Sequence, residues 1–122
     1  MPKTTVYQCP VTATLSVIGG RWKPILLHTL SNGSKRFGQL DAIISGISRK
    51  ILTEQLRELE ASGLIIRKQF SETPPRVEYS LSEKGKTLKP VMLAMSKWGN
   101  ENVIAVKNKS ADSRGKQKVD KL

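Results

Sequence analysis

The chain has 122 residues, a length that suits one domain with a single hydrophobic core and leaves little room for two independent ones. Its 21 Lys and Arg residues against 10 Asp and Glu give a net charge of +11, which indicates a polyanionic partner and, above all, nucleic acid. The chain has a single cysteine, which excludes an intramolecular disulfide and favours a reducing, cytoplasmic setting. One cysteine and one histidine are too few ligands for a zinc site, so we expect no metal and no cofactor.

Both ends of the chain are polar. The opening sequence, MPKTTVYQCP, lacks the apolar stretch of a signal peptide, and the apolar runs elsewhere are too short to cross a membrane. Residues 107–122 hold six basic and two acidic residues with almost nothing to bury, which predicts a disordered tail. We therefore expect a folded domain over 1–106, a basic tail over 107–122, and no membrane partner.

Apolar residues at helical spacing predict three helices in the first part of the chain. The first runs from Pro10 to Gly19-Gly20, the second from Lys23-Pro24 to Asn32-Gly33, and the third from Phe37 to Ser45-Gly46. Proline suits the first turn of a helix and glycine its end, so these residues and the apolar pattern give the same boundaries.

A fourth helix follows after a tight turn. Ser48 is a good N-cap, the apolar residues Leu52, Leu56 and Leu59 repeat every three or four positions, and Gly63 ends the helix. The third and fourth helices thus form a helix-turn-helix pair.

A β-hairpin is predicted directly behind this pair. One strand covers 64–70, and in the second Val77, Tyr79 and Leu81 alternate with polar residues. The proline-rich tip at 73–75 makes the turn stiff. Helix, turn, helix and hairpin in this order are typical of a winged helix-turn-helix.

The last predicted helix begins at the N-cap Ser82, and Pro90 is expected to kink its first half. Its apolar stripe is longer than one small domain readily covers, which predicts a homodimer interface; packing within one chain is the alternative. The residues of this stripe are Leu88, Val91, Met92, Met95 and Trp98.

The polar face of the fourth helix is the predicted reading surface. With its leucines in the core, Lys50, Thr53, Glu54 and Arg57 fall on the opposite side, where they would enter a major groove. Lysine and arginine meet phosphate or guanine, threonine meets a thymine methyl, and glutamate accepts from cytosine N4. An ordinary solvated face with a Lys50–Glu54 pair is the alternative.

Cations outside that face complete the predicted surface. Arg49 lies at the helix N-terminus, Lys35 and Arg36 precede the third helix near the phosphate backbone, and Arg76 beside the tip would enter the minor groove. The predicted DNA-binding residues are Lys35, Arg36, Ser48, Arg49, Lys50, Thr53, Glu54, Arg57 and Arg76.

Several blocks in the same order resemble the HxlR-type winged helix-turn-helix regulators. They are CPVTATLSVIGGRWKPILLHTL, KRFGQL, GISRKILTEQLRELEASGLI, ETPPRVEYSLSEKG and the late Trp98-Gly99. The chain departs from the family pattern at Gln39, where the family often has glutamate, and in its long basic tail.

The resemblance implies a mainly α-helical fold with a small β-hairpin wing, and terminal helices that form a homodimer. It also implies a near-palindromic duplex operator and repression or activation of neighbouring genes. Some members sense oxidants or electrophiles through a cysteine near the N-terminus, so Cys9 is a candidate sensor; a small buried hydrophobe at a helix start is the alternative.

Three other functions compete with this interpretation. The charge alone would suit an architectural protein that binds nucleic acid without sequence preference. A winged helix can also bind proteins instead of DNA. A thiol enzyme built on Cys9 would need a base and a substrate pocket, for which no motif is present, so we expect a protein that is not an enzyme.

Overall fold

A computed structural model describes residues 8–108. The chain divides into two compact units between Leu88 and Lys89. Nearly all of the basic tail predicted for 107–122 lies outside the described residues, so its disorder and the boundary near 106 remain predictions.

The first unit contains five helices and three strands within the described range. The helices are α1 (Pro10–Ile18), α2 (Lys23–Leu30), α3 (Phe37–Ile43), α4 (Arg49–Ala61) and the short α5 (Glu83–Lys86). The strands are β1 (Lys35–Arg36), β2 (Ile65–Phe70) and β3 (Arg76–Leu81). The first four helices and the hairpin agree with the sequence prediction, and the mainly helical winged fold is confirmed.

The sheet has three strands in the order β1-β3-β2, all antiparallel to their neighbours. The sequence predicted only the β2–β3 hairpin. β1 was missed because its two residues are too few to show an alternating pattern, and they become a strand by pairing with Tyr79 and Glu78 of β3.

The core lies between the helices and one face of this sheet. The helices α2, α3 and α4 contribute fully buried leucines. The hairpin contributes Ile65, Tyr79 and Leu81, which are buried on one face of the sheet. On α4 the three buried residues are Leu52, Leu56 and Leu59, as the periodicity predicts.

Both ends of α4 are closed by their own residues. The Ser48 hydroxyl accepts a hydrogen bond from the Ile51 amide at 3.1 Å, which satisfies one of the free N–H groups of the first turn. Gly63 adopts a φ of 76°, a left-handed conformation that suits glycine, and the Leu64 amide then donates to the Leu59 carbonyl at 3.0 Å. This closure directs the chain from α4 straight into β2.

The prediction of one continuous last helix was wrong. The chain forms α5, capped by the Ser82 hydroxyl, and then a separate helix α6 (Lys89–Gly99) in the second unit. Pro90 explains the break, because it has no N–H to donate to the Lys86 carbonyl and its ring would collide with that carbonyl. A proline fits the first turn of a new helix instead, so the helix restarts rather than kinks.

In the second unit, α6 continues into a π-helical segment, Asn100–Ile104. Most of its large apolar side chains are exposed, Leu93 and Trp98 most of all, whereas Met92 is buried. Among the described residues, no helix combines the length and the hydrophobicity that a membrane span requires.

Replacing Leu56 by alanine should lower the free energy of unfolding by about 2 to 5 kcal/mol, because the side chain is fully buried and leaves a cavity. Urea unfolding followed by circular dichroism would measure the loss. Ile43→Ala is the matched control, because Ile43 is exposed and its replacement should cost about 0.5 kcal/mol or less. Equal losses for the two variants would contradict the assigned core.

Candidate nucleic-acid interface

The outward stripe of α4, defined as Lys50, Thr53, Glu54 and Arg57, lies opposite the buried leucines. Lys50, Thr53 and Arg57 are exposed and Glu54 is half-buried. The Thr53 hydroxyl donates to the Arg49 carbonyl at 2.8 Å, so its methyl and its lone pairs remain available. In the part of the chain that the structure describes, neither Lys50 nor Arg57 forms an ion pair, with Glu54 or with any other carboxylate.

Arg49 differs from these residues because it is tied to α3. Its Nε lies 3.3 Å from Asp41 Oδ2, and its guanidinium lies over the Phe37 ring at 5.4 Å from the centroid. The side chain is still 71% exposed. Arg49 can therefore hold the start of α4 against α3 and at the same time present a charge to the outside.

The residues of β1 lie at the start of α3. Arg36 is exposed, and its backbone amide donates to Gln39 Oε1 at 2.8 Å. In a capping box, the side chain of a glutamate or glutamine at the third helical position accepts this hydrogen bond from the N-cap amide. The departure from the family pattern at Gln39 therefore keeps the capping contact. Lys35 is half-buried, and its Nζ lies 3.4 Å from the Gly33 carbonyl.

The structure places Arg76 in a bracing position within the wing, the β2–β3 hairpin. Its Nη2 lies 3.0 Å from Glu72, its Nε lies 3.2 Å from Glu78, and its guanidinium stacks on Phe70 at 4.1 Å. Nε is buried and makes no hydrogen bond of regular geometry, and the side chain is only 26% exposed. Two carboxylates therefore already neutralise the cation that the sequence placed in the minor groove.

Sequence reasoning missed Arg67. It lies opposite Tyr79 on the face of the hairpin that turns toward α4, and with Arg57 it lines a cavity of about 280 Å³. The other lining residues are Phe37, Thr53, Glu60 and Tyr79. The alternation of β2 could have placed Arg67 beside Tyr79, but its closeness to α4 depends on tertiary packing.

Cys9 is the N-cap residue of α1 and is half-exposed. The pKa of the Cys9 thiol is lowered, most by the Thr12 hydroxyl and less by the backbone N–H groups of Thr12 and Val11. Burial acts weakly in the opposite direction. The thiol lies near these hydroxyl and N–H groups but makes no capping hydrogen bond of regular geometry. A lower pKa increases the thiolate fraction at neutral pH, and the thiolate is the reactive form.

The predicted dimer stripe is partly open. Val91, Met95 and Trp98 lie three or four positions apart on one face of α6 and are exposed, whereas Met92 is buried and Leu88 half-buried in the single chain. α1 also exposes Val11 and Leu15. Residues 8–108 hold no cluster of three or more His, Cys, Asp or Glu side chains that could bind a metal ion.

Comparison with known proteins gives three kinds of match. The sequence model of the HxlR-like helix-turn-helix family matches residues 17–107. The uncharacterized HTH-type transcriptional regulator YybR of Bacillus subtilis (strain 168) is 50% identical over 94 residues, which cover 77% of this chain and 75% of YybR.

The solved structures that are similar over most of the chain include two redox-state forms of regulators. The oxidized form of the redox regulator HypR matches with a TM-score of 0.73 and 50% identity. The match covers 77% of this chain and 97% of the HypR chain. The reduced form of the transcriptional regulator YodB from B. subtilis matches with a TM-score of 0.69 and 38% identity. The match covers 78% of this chain and 94% of the YodB chain.

The environment of Cys9 predicts how its reactivity depends on pH. The midpoint of the alkylation rate against pH should fall below the ordinary cysteine value, because the Thr12 hydroxyl favours the thiolate. Thr12→Val removes that hydroxyl and should move the midpoint upward. Ser16→Ala, which removes a hydroxyl one turn further along α1, should leave it unchanged. Iodoacetamide rates followed by mass spectrometry give the profiles, and identical profiles for wild type and Thr12→Val would refute the assignment.

Proposed function

The chain belongs to the HxlR-like helix-turn-helix family, and from this premise we propose that it is a cytoplasmic transcription regulator that binds a specific duplex operator as a homodimer. The observation that carries the proposal is the outward stripe of α4. Exposed side chains with free donors and a free methyl group cover one side of a helix whose other side is fully buried. Such a helix can enter a major groove without losing its packing.

Within the proposed complex, α4 reads bases and the flanking elements position it. Lys50 and Arg57 have no protein counter-charge in residues 8–108, so contacts of these two side chains with DNA break no ion pair. Arg49 and the exposed Arg36 then contact phosphates on either side of α3. Ser48 contributes through its cap, which fixes where α4 begins.

For Arg76 we propose a different role from the one that the sequence predicted. Because Glu72, Glu78 and Phe70 already hold its guanidinium, we propose that it braces the wing and leaves phosphate contacts to neighbouring residues such as Lys68. Ser34 adds to the brace, since its hydroxyl donates to Glu78 at 3.2 Å. A rigid wing lies beside DNA at a smaller cost in conformational entropy.

The proposed dimer rests on the exposed apolar surface of α6. Val91, Met95 and Trp98 form a continuous stripe, and Trp98 is 63% exposed in the single chain. Apolar stripes of this kind mark protein interfaces. A two-fold symmetric pair of winged helices would bind two half-sites, which is why we expect a near-palindromic operator.

We further propose that Cys9 makes DNA binding responsive to oxidants or electrophiles. HypR, which the chain resembles, is named a redox regulator. In this chain the thiol is half-exposed and its pKa is lowered, two conditions that favour oxidation. Because the chain has one cysteine, oxidation gives a disulfide between two subunits or a mixed disulfide with a small thiol.

An architectural protein without sequence preference is the second candidate, favoured by the net charge of +11. It requires contacts to phosphates only. The outward stripe of α4 argues for base reading because it mixes two cations, a hydroxyl and a carboxylate, and a carboxylate would weaken a purely phosphate-binding surface.

Lys50→Ala and Arg57→Ala should each weaken binding to a selected operator by about 1 to 3 kcal/mol, because each removes a cation from the reading face, without changing stability. Fluorescence anisotropy with selected and random duplexes measures the effect, and sedimentation of the same samples should show two chains per operator. Lys86→Ala, which removes an exposed cation from α5, is the matched control and should bind like wild type. Equal affinity for selected and random duplexes would favour the architectural function.

Oxidation by diamide should change operator affinity of wild type by about fivefold or more, the usual size of a coupling between distinct sites. Cys9→Ser should not respond, and dithiothreitol should restore wild type. Mass spectrometry must show that Cys9 is modified in the sample tested. Unchanged affinity after complete modification would disprove the sensor role and leave the DNA-binding role intact.

A further inference from the structure

The cavity between α4 and the sheet has walls of two kinds. Arg57 and Glu60 of α4 face Arg67 of β2, so two guanidinium groups and one carboxylate line it. Phe37 and Tyr79 supply aromatic walls, and Tyr79 is only 9% exposed. Ligand sites in proteins commonly combine an apolar wall with a few charged groups in this way.

The two arginines of the cavity lack a counter-charge. Arg49 and Arg76 each have a carboxylate within 3.3 Å, whereas neither Arg57 nor Arg67 forms an ion pair in the described part of the chain. Glu60 also lines the cavity without pairing to either of them. The cavity therefore carries one net positive charge, and its guanidinium groups have the planar donor geometry that matches a carboxylate or a phosphate oxygen pair.

Size and the aromatic walls select among these anions. A cavity of about 280 Å³ is far larger than an inorganic phosphate needs, and it offers ring faces that a phosphate cannot use. Charge does not separate the two anions, because a net charge of +1 attracts a doubly charged phosphate at least as strongly as a singly charged acid. Size and the ring faces therefore favour a carboxylate that carries one aromatic ring.

We propose that this cavity binds a small aromatic carboxylate, with the carboxylate on Arg57 and Arg67 and the ring against Phe37 and Tyr79. The proposal deepens the proposed function and rests on it in one respect: Thr53 and Arg57 belong both to the cavity and to the outward stripe of α4. The ligand and the operator then use the same side chains. Occupation of the cavity lowers operator affinity by direct competition and needs no conformational change.

The binding test uses the full chain and benzoate as the probe. Benzoate should bind saturably and shift the ring resonances of Phe37 and Tyr79 in NMR spectra. Benzamide, which has the same shape without the charge, and inorganic phosphate should bind about tenfold more weakly or not at all. Benzamide binding as tight as benzoate, or phosphate binding as tight, would overturn the proposal.

Variants locate the site. Arg67→Met and Arg57→Met should each weaken benzoate binding about tenfold, because each removes one of two charged partners. Lys68→Met removes the same charge from the next residue of β2, which points to the opposite face of the hairpin, and should bind benzoate like wild type. Thermal melting confirms that each variant is folded. Benzoate affinity that is unchanged in both arginine variants would overturn the assignment.

Competition with DNA separates this proposal from the function on which it rests. Benzoate at about ten times its own Kd should weaken operator binding of wild type about tenfold, as direct competition requires, and benzamide should have no effect. Operator binding without any response to benzoate would refute the cavity proposal and leave the regulator intact. Benzoate binding by a protein that prefers no duplex would instead refute the proposed function and leave the cavity in place.

Discussion

The leucine stripe of α4 fixes the rotation of that helix about its own axis, and the rest of the surface depends on it. Leu52, Leu56 and Leu59 are fully buried, so a rotation that exposed them would cost about 1.5 to 3 kcal/mol for each side chain. Because this rotation is fixed, Lys50 and Arg57 lie on the side of α4 that faces away from the leucines. The Ser48 cap and the Gly63 turn then fix where the helix begins and where β2 starts. One apolar contact surface thus determines both the reading face and the position of the wing.

Carboxylates determine which cations remain available. Asp41 pairs with Arg49, Glu58 pairs with Lys23, and Glu72 and Glu78 pair with Arg76. Where the cation is largely exposed, as Arg49 is, such a pair contributes about 0 to 1 kcal/mol, so its effect is more on position than on stability. The cations without an ion pair in the described residues include Lys50 and Arg57 on the outward stripe of α4 and Arg67 and Lys68 on β2. Net charge predicts a polyanionic partner, and the pairing pattern adds which of these side chains can meet it without first breaking an ion pair.

Local sequence patterns predicted the elements, and non-local packing decided what they could not. The leucine spacing of α4 and the alternation of β3 depend on neighbours in the chain, and both were predicted correctly. β1 exists because Lys35 lies beside Tyr79, forty-four residues later in the chain, and no short-range pattern carries that information. The same holds for Arg76, whose position depends on the ring opposite it in β2, and for the cavity that Arg67 shares with α4. Pro90 is a local signal that is compatible with two outcomes, because a proline in a helical pattern can divide the helix as well as bend it.

The two proposed effectors would act on DNA binding in physically different ways. An anion in the cavity touches Arg57 directly, so its effect needs only shared side chains. Cys9 lies at the N-cap position of α1 and is not part of α4, so modification of its thiol must act through packing. A contiguous path exists, because α1 packs on α2 and Lys23 of α2 bonds to Glu58 of α4 at 2.6 Å. Coupling along such a path requires an element with two arrangements that both sites influence. The entry of α2, where Lys23 contacts Glu58 of α4, lies on this path between Cys9 and the outward stripe of α4.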